Sequence, residues 1–113
     1  MKDDLPYLLH LRDALEEVRE FLEGMKYEDF VEDKRTRNAV LRSFEVMGEA
    51  SRRVSPEFRA GHPEVPWRKI MDFRNKLIHD YFGLDYLLVW KTAQEEVPLL
   101  LPLIMGLIGQ MKE

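Results

Sequence analysis

Apolar residues recur at Leu8, Leu11, Leu15, Val18, Leu22 and Met25, at spacings of three and four. That period puts one stripe on a helix of about five turns, and Gly24 can help end it. A short segment, Tyr27 to Val31, follows. Val40, Leu41, Phe44, Met47, Gly48, Ser51 and Val54 repeat the pattern and predict a second long helix. Gly48 falls on its packing side, where a missing side chain lets another helix approach closely. Ser55-Pro56-Glu57 reads as a helix start, with serine as the cap and proline at the first position. Gly61, Pro63 and Pro66 keep that piece short. Pro66 opens a third helix through Trp67, Ile70, Phe73 and Leu77 to about Tyr81, and Gly83 stops it. Asp85 caps a fourth, DYLLVWKTAQEE, with Tyr86, Val89 and Trp90 on its apolar side. Pro98 calls for a kink or a fresh helix, and Pro102 for an irregular or bent last segment. Strand-like alternation, repeats and low-complexity tracts are absent from the sequence. The expectation is an all-α, up-and-down bundle of four to five helices in a single domain over residues 1–113.

Composition sets the outer bounds. An apolar fraction of 45% suits a folded globular chain. The absence of cysteine excludes disulfides and thiolate metal sites. MKDDLPYLLHLRD carries acids where a signal peptide needs a basic start. The longest apolar run, Val97 to Gly109, has 13 residues, short of the roughly 20 that a membrane helix needs. A soluble cytoplasmic protein with no membrane partner is expected.

Charge adds a polarity that the net value of −4 hides. Residues 1–33 carry a balance of −7, residues 34–76 one of +6 and residues 77–113 one of −3. A basic middle between acidic ends fits a localised phosphate-binding surface, and it also fits solvated helix faces. Arg35, Arg37, Arg42, Arg52, Arg53 and Lys76 are the candidates for phosphate contacts.

The chemistry narrows by elimination. His10, His62 and His79 are not paired at ligand spacing and no HExxH is present, so neither a metal nor another cofactor is expected. The six glycines are scattered and form no phosphate loop. Glu16, Glu17, Glu20 and Glu23 read as a solvated face. His10 reads as surface or core edge, and His62 as a loop residue.

FRNKLIHDYF, residues 73–82, is left. At about 100° per residue, Tyr81 falls roughly −20° from Arg74, while Asn75 and His79 fall roughly +100° and +140° from it. Arg74 and His79 therefore do not share one face of an ideal helix. Two copies meeting along this helix could pool both residues in one cleft, since an isologous contact brings the same patch together twice. An imidazole can take a proton from a ribose 2′-OH or give one to a leaving 5′-oxygen. An arginine fork can hold phosphate oxygens and stabilise developing charge. On spacing alone, a salt-bridged Arg74 and a structural His79 are the readier account.

The stretch RNKLIHDYFGLDYLLVW resembles the signature of the HepT-like branch of the HEPN superfamily. That branch carries Arg-x4-His-x-Tyr, here Arg74, His79 and Tyr81, then a glycine-containing turn, an acid and a Val-Trp pair, here Gly83, Asp85 and Val89-Trp90. EVMGEASRRVSPEF and HPEVPWRKIMDFRN resemble the family's second helix and its approach to the motif. The resemblance implies a homodimeric or higher-order helical bundle. It implies a metal-independent endoribonuclease toxin acting on RNA, with Arg74 and His79 catalytic. Asn75, next to Arg74, and Lys76 and Arg42, from the basic middle of the chain, are the expected substrate contacts on charge and position. It also implies a minimal nucleotidyltransferase antitoxin that transfers adenylate to Tyr81. The alternative is a non-catalytic HEPN module that binds a nucleotide or a nucleotidyltransferase partner.

Overall fold

The apolar stripes become buried seams. The computed structural model describes residues 3–112, with backbone alone at Tyr81. Its helices are α1 (Leu5–Leu22), α2 (Tyr27–Glu32), α3 (Lys34–Arg53), α4 (Pro56–Gly61), α5 (Trp67–His79), α6 (Tyr86–Glu95) and α7 (Val97–Met111), with a 3-10 turn at Tyr81–Gly83. Five are long. α2 and α4 are single short turns, so the all-α bundle is as expected. Leu8, Leu11, Leu15 and Val18 of α1 are fully buried, between Val40, Phe44 and Met47 of α3 and Leu100, Ile104 and Leu107 of α7. α3 packs on α1 and α5, and α7 packs on α1 and α6. α2 joins α3 to α6. There Phe30 meets Trp90 at 5.5 Å and Tyr86 edge-on at 6.4 Å. The Val89-Trp90 pair thus fastens α6: Val89 is buried and Trp90 stacks against α2.

Side-chain caps open three of the described helices. Asp33 opens α3: its carboxylate accepts from the Thr36 backbone N–H at 3.0 Å and the Thr36 hydroxyl at 2.8 Å. Those bonds, the backbone one first, hold its pKa below the ordinary carboxylate value. Asp85 accepts from the Leu88 N–H at 3.2 Å and opens α6. Ser55 accepts from the Phe58 N–H at 3.2 Å and opens α4. Ser55 is itself held from far away. Its N–H and its hydroxyl each donate, at 2.7 Å, to the buried carboxylate of Asp4.

Three expectations need correction. α1 ends at Leu22, and Gly24 turns the chain at φ +76°, so Met25 lies past the helix. α5 ends at His79 rather than Tyr81, because Asp80 leaves helical geometry at φ −96°, ψ 19° and a 3-10 turn follows. α7 runs through Pro102 as one helix. Pro98 sits in its first turn, where no N–H is needed. Pro102 is exposed, and the carbonyl it leaves unmatched belongs to exposed Pro98, on the water side.

The approach of α3 to α5 is set at Gly48. A Cβ on Gly48 would lie 2.3 Å from Cβ and 2.8 Å from Cγ of Arg74. In an open helix, Gly→Ala gains about 1 kcal/mol. Here the clash is with a backbone-anchored atom, so overpacking of about 1–3 kcal/mol outweighs that gain. Gly48→Ala should therefore lower the thermal midpoint, against the usual sign, in a calorimetric comparison with the parent.

Candidate active site

Arg74 is placed by the packing just described. Ile70 and Leu77 bury the inner face of α5, and Phe73 meets Phe44 of α3 edge-on at 5.1 Å. One residue along, the Arg74 stem lies across Gly48. Its guanidinium is half-buried and incompletely matched. Nη2 stands 3.9 Å from a Glu49 oxygen, Nη1 donates to the Asn75 side-chain oxygen at 3.3 Å, and Nε is buried with no hydrogen-bond partner among the described residues. An arginine with donors left over is suited to an outside anion.

Glu49 sits among three arginines. It accepts from Arg52 at 2.7 Å and from Arg53 at 3.0 Å, with Arg74 farther off. The Arg52 hydrogen bond is the main reason its carboxyl is held down to about 2, with Arg53 adding to it and partial burial opposing. These groups border an open groove of about 430 Å³. Tyr7 and His10 of α1 line it with Arg42, Glu49 and Arg53 of α3 and Arg74 of α5.

The remaining candidates lie apart. His79 is the last residue of α5, exposed and outside the groove. Asn75 is exposed beside Arg74. Lys76 pairs with Asp80 at 3.0 Å and borders a different cleft, about 470 Å³, lined by Phe44, Ile70, Phe73 and Leu88. The line from Arg74 to Tyr81 does not continue as one helix, since α5 has ended. The Tyr81 side chain, expected to accept adenylate, lies outside the described residues. Arg37 is committed to the scaffold, since its guanidinium donates to the Val31 carbonyl and covers the Tyr86 ring at 4.8 Å. His62 contacts Glu64 at 3.2 Å and stacks on Phe58. Among the described residues no three His, Asp or Glu side chains gather to hold a metal. No helix there is long and apolar enough to cross a membrane.

The order of these residues along α5 can be set beside known proteins. The family model described as ribonuclease HepT-like matches residues 11–107. The chain belongs to the HepT-like family. A Thermococcus cleftensis protein named "Probable ribonuclease HepT" is 45% identical over 92 residues, covering 81% of this chain and 84% of the relative. A "Putative RNase" of Caldanaerobacter subterraneus is 43% identical over 98 residues, covering 87% and 88%. Another, of Methanocaldococcus jannaschii, is 41% identical over 97 residues, covering 86% and 89%. No solved structure matches the chain. The matched region includes Glu49, which stands outside the Arg-x4-His-x-Tyr motif and which the motif alone does not flag. Its signal in the sequence is the spacing of Glu49, Arg52 and Arg53 at i, i+3 and i+4 on one helix.

Glu49 gives a pH signature. Its folded pKa is depressed from 4.5 to about 2. Its contribution is therefore complete above the unfolded value and fades as pH falls from 4.5 toward 2. The side chain is a third exposed and its arginine partners more so, so solvent keeps the contribution below about 1 kcal/mol. In urea titrations, Glu49→Gln should flatten the stability loss across that acid window and change little above it.

Proposed function

We propose that the chain is a metal-independent endoribonuclease, the toxin of a pair whose antitoxin is a minimal nucleotidyltransferase. The observation that carries the reading is the Arg74 guanidinium: locked on α3, bordering a groove with Arg42 and Arg53, and short of acceptors. Its family membership and the names of its relatives support RNA as the substrate.

The reaction follows from two side chains. One imidazole takes the proton of a ribose 2′-OH, and that oxygen attacks the adjacent phosphorus. The P–O5′ bond breaks, and a second imidazole supplies the proton to the leaving 5′-oxygen. Arg74 neutralises the charge gathering on the phosphoryl oxygens. Asn75, bonded to Arg74, steadies the fork, and Lys76 and Arg42 add phosphate contacts on either side. Arg74 and His79 occupy different surroundings in one chain, which favours a homodimer that pools them along α5. Exposed Ile78, inside the motif, and Leu87, six residues beyond Tyr81, supply apolar surface for that contact.

Silencing by the antitoxin is chemically direct. The Tyr81 hydroxyl attacks the α-phosphate of a nucleoside triphosphate, pyrophosphate leaves, and a bulky anion remains two residues beyond His79. It would crowd the cleft and compete for Arg74.

His79→Ala should reduce RNA cleavage by roughly 10²–10⁴ with folding and dimer mass intact. Arg74→Ala should come close, and Arg74→Lys should restore little because the planar fork is lost. Cleavage, thermal unfolding and sedimentation on the same preparations check this. A folded, dimeric His79→Ala variant cutting at the parent rate would sink the catalytic reading in favour of a partner-binding module. Tyr81→Phe, co-expressed with the nucleotidyltransferase, should stay unmodified by mass spectrometry and stay active.

A further inference from the structure

The groove beside Arg74 is larger than one phosphate needs, and its far side is built from groups that the motif does not include. Arg42 to Arg53 spans eleven residues of α3, about 16 Å along the helix axis. α1 contributes Tyr7 and His10, one turn apart. None of the Tyr7 hydroxyl, the His10 imidazole and the Arg42 guanidinium has a hydrogen bond or ion pair among the described residues. Arg42 leaves Glu45 unused although that carboxylate stands one turn on and borders the same groove. Glu49, the other carboxylate here, is already engaged by Arg52 and Arg53. Arg42, His10 and a half-buried Tyr7 ring thus border open space that continues from Arg53 and Arg74, with the Glu45 carboxylate, unpaired among the described residues, on the same rim.

A basic track with an aromatic platform is the arrangement that holds a single-stranded nucleic acid, arginines following the backbone and a ring taking a base. We propose that the α1–α3 groove is a second RNA subsite. In it Arg42 and His10 hold a phosphate next to the one at Arg74, and the Tyr7 ring stacks on the intervening base. The proposal rests on the ribonuclease reading for the identity of the strand, and it adds where that strand runs: across α3 toward the start of α1. Glu49 acts there as the internal counter-anion that keeps Arg52 and Arg53 gathered when no RNA is bound.

The test separates binding from cutting. Affinity for a short 2′-O-methyl single-stranded RNA, which has no free 2′-OH to attack, is measured by fluorescence anisotropy over a range of salt. Cleavage of the unmodified RNA is measured in parallel. Arg42→Gln should weaken binding about 5- to 10-fold and reduce the salt slope by about 1. His10→Gln should weaken it several-fold. Tyr7→Leu should weaken it about 5-fold or more with the salt slope unchanged, while Tyr7→Phe, which keeps the ring, should bind as the parent does. Arg68→Gln, on exposed surface outside this groove, is the control and should have little effect. Should Tyr7→Leu fail to fold, the two exposed positions, Arg42 and His10, decide the matter. A parent that cuts RNA with an affinity indifferent to Arg42, His10 and Tyr7 overturns the groove and leaves the ribonuclease reading standing. So does a loss at Arg68 equal to that at Arg42. A parent that binds through the groove and cuts nothing upholds the groove and overturns the ribonuclease reading. A parent that neither binds nor cuts overturns both.

Discussion

Everything around the motif depends on one close approach, the contact between the bare backbone of Gly48 and the stem of Arg74. With no Cβ in the way, α5 settles onto α3 closely enough for Phe44 and Phe73 to meet edge-on and for Ile70 and Leu77 to be buried. The same contact takes the conformational freedom out of most of the Arg74 side chain before any ligand arrives. Only the guanidinium is left to respond. That is what preorganisation means at the level of one residue: the entropy of placing a charged group is settled by packing during folding rather than on binding.

Electrostatics then divides the basic middle of the chain into arginines that are occupied and arginines that are not. Arg37 is committed to α2 and α6, and Arg52 and Arg53 to Glu49. Arg42 and Arg74 keep donors to spare. A positive balance over residues 34–76 therefore overstates the positive surface at the groove, since Lys34, Arg35 and Arg68 are exposed outside it. Spatial neighbours, rather than totals, decide which charges face a ligand.

The fold was readable where local signals are strong. Stripes on α1 and α3, the serine cap of α4, the aspartate cap of α6 and the packing role of Gly48 all follow from spacing and residue type. The start of α3 did not show, because KRTRNA carries little apolar period and its mark is a capping carboxylate, Asp33, bonded to Thr36. The passage of α7 through Pro102 was hidden for another reason: proline's penalty depends on whether water reaches the carbonyl it abandons, and sequence does not say which side faces out. At the site, Arg74 and His79 stood out through their motif. Tyr7 and His10 did not, since they reach the groove only after α1 has packed on α3. The wheel that aligned Arg74 with Tyr81 assumed an uninterrupted helix, and Asp80 interrupts it.

The bond pair between Asp4 and Ser55 joins positions 51 residues apart and makes a closed circuit of α1, α2 and α3. Ser55 passes the restraint on by capping α4, which leads into α5. The opening turn of the chain therefore works as a clasp for the middle of it. Damage at this end would be felt least where it occurs. Its effect would travel to the α4–α5 elbow, and from there to the angle at which the motif helix meets its neighbour, so that an injury at Asp4 would resemble a lesion of the site itself.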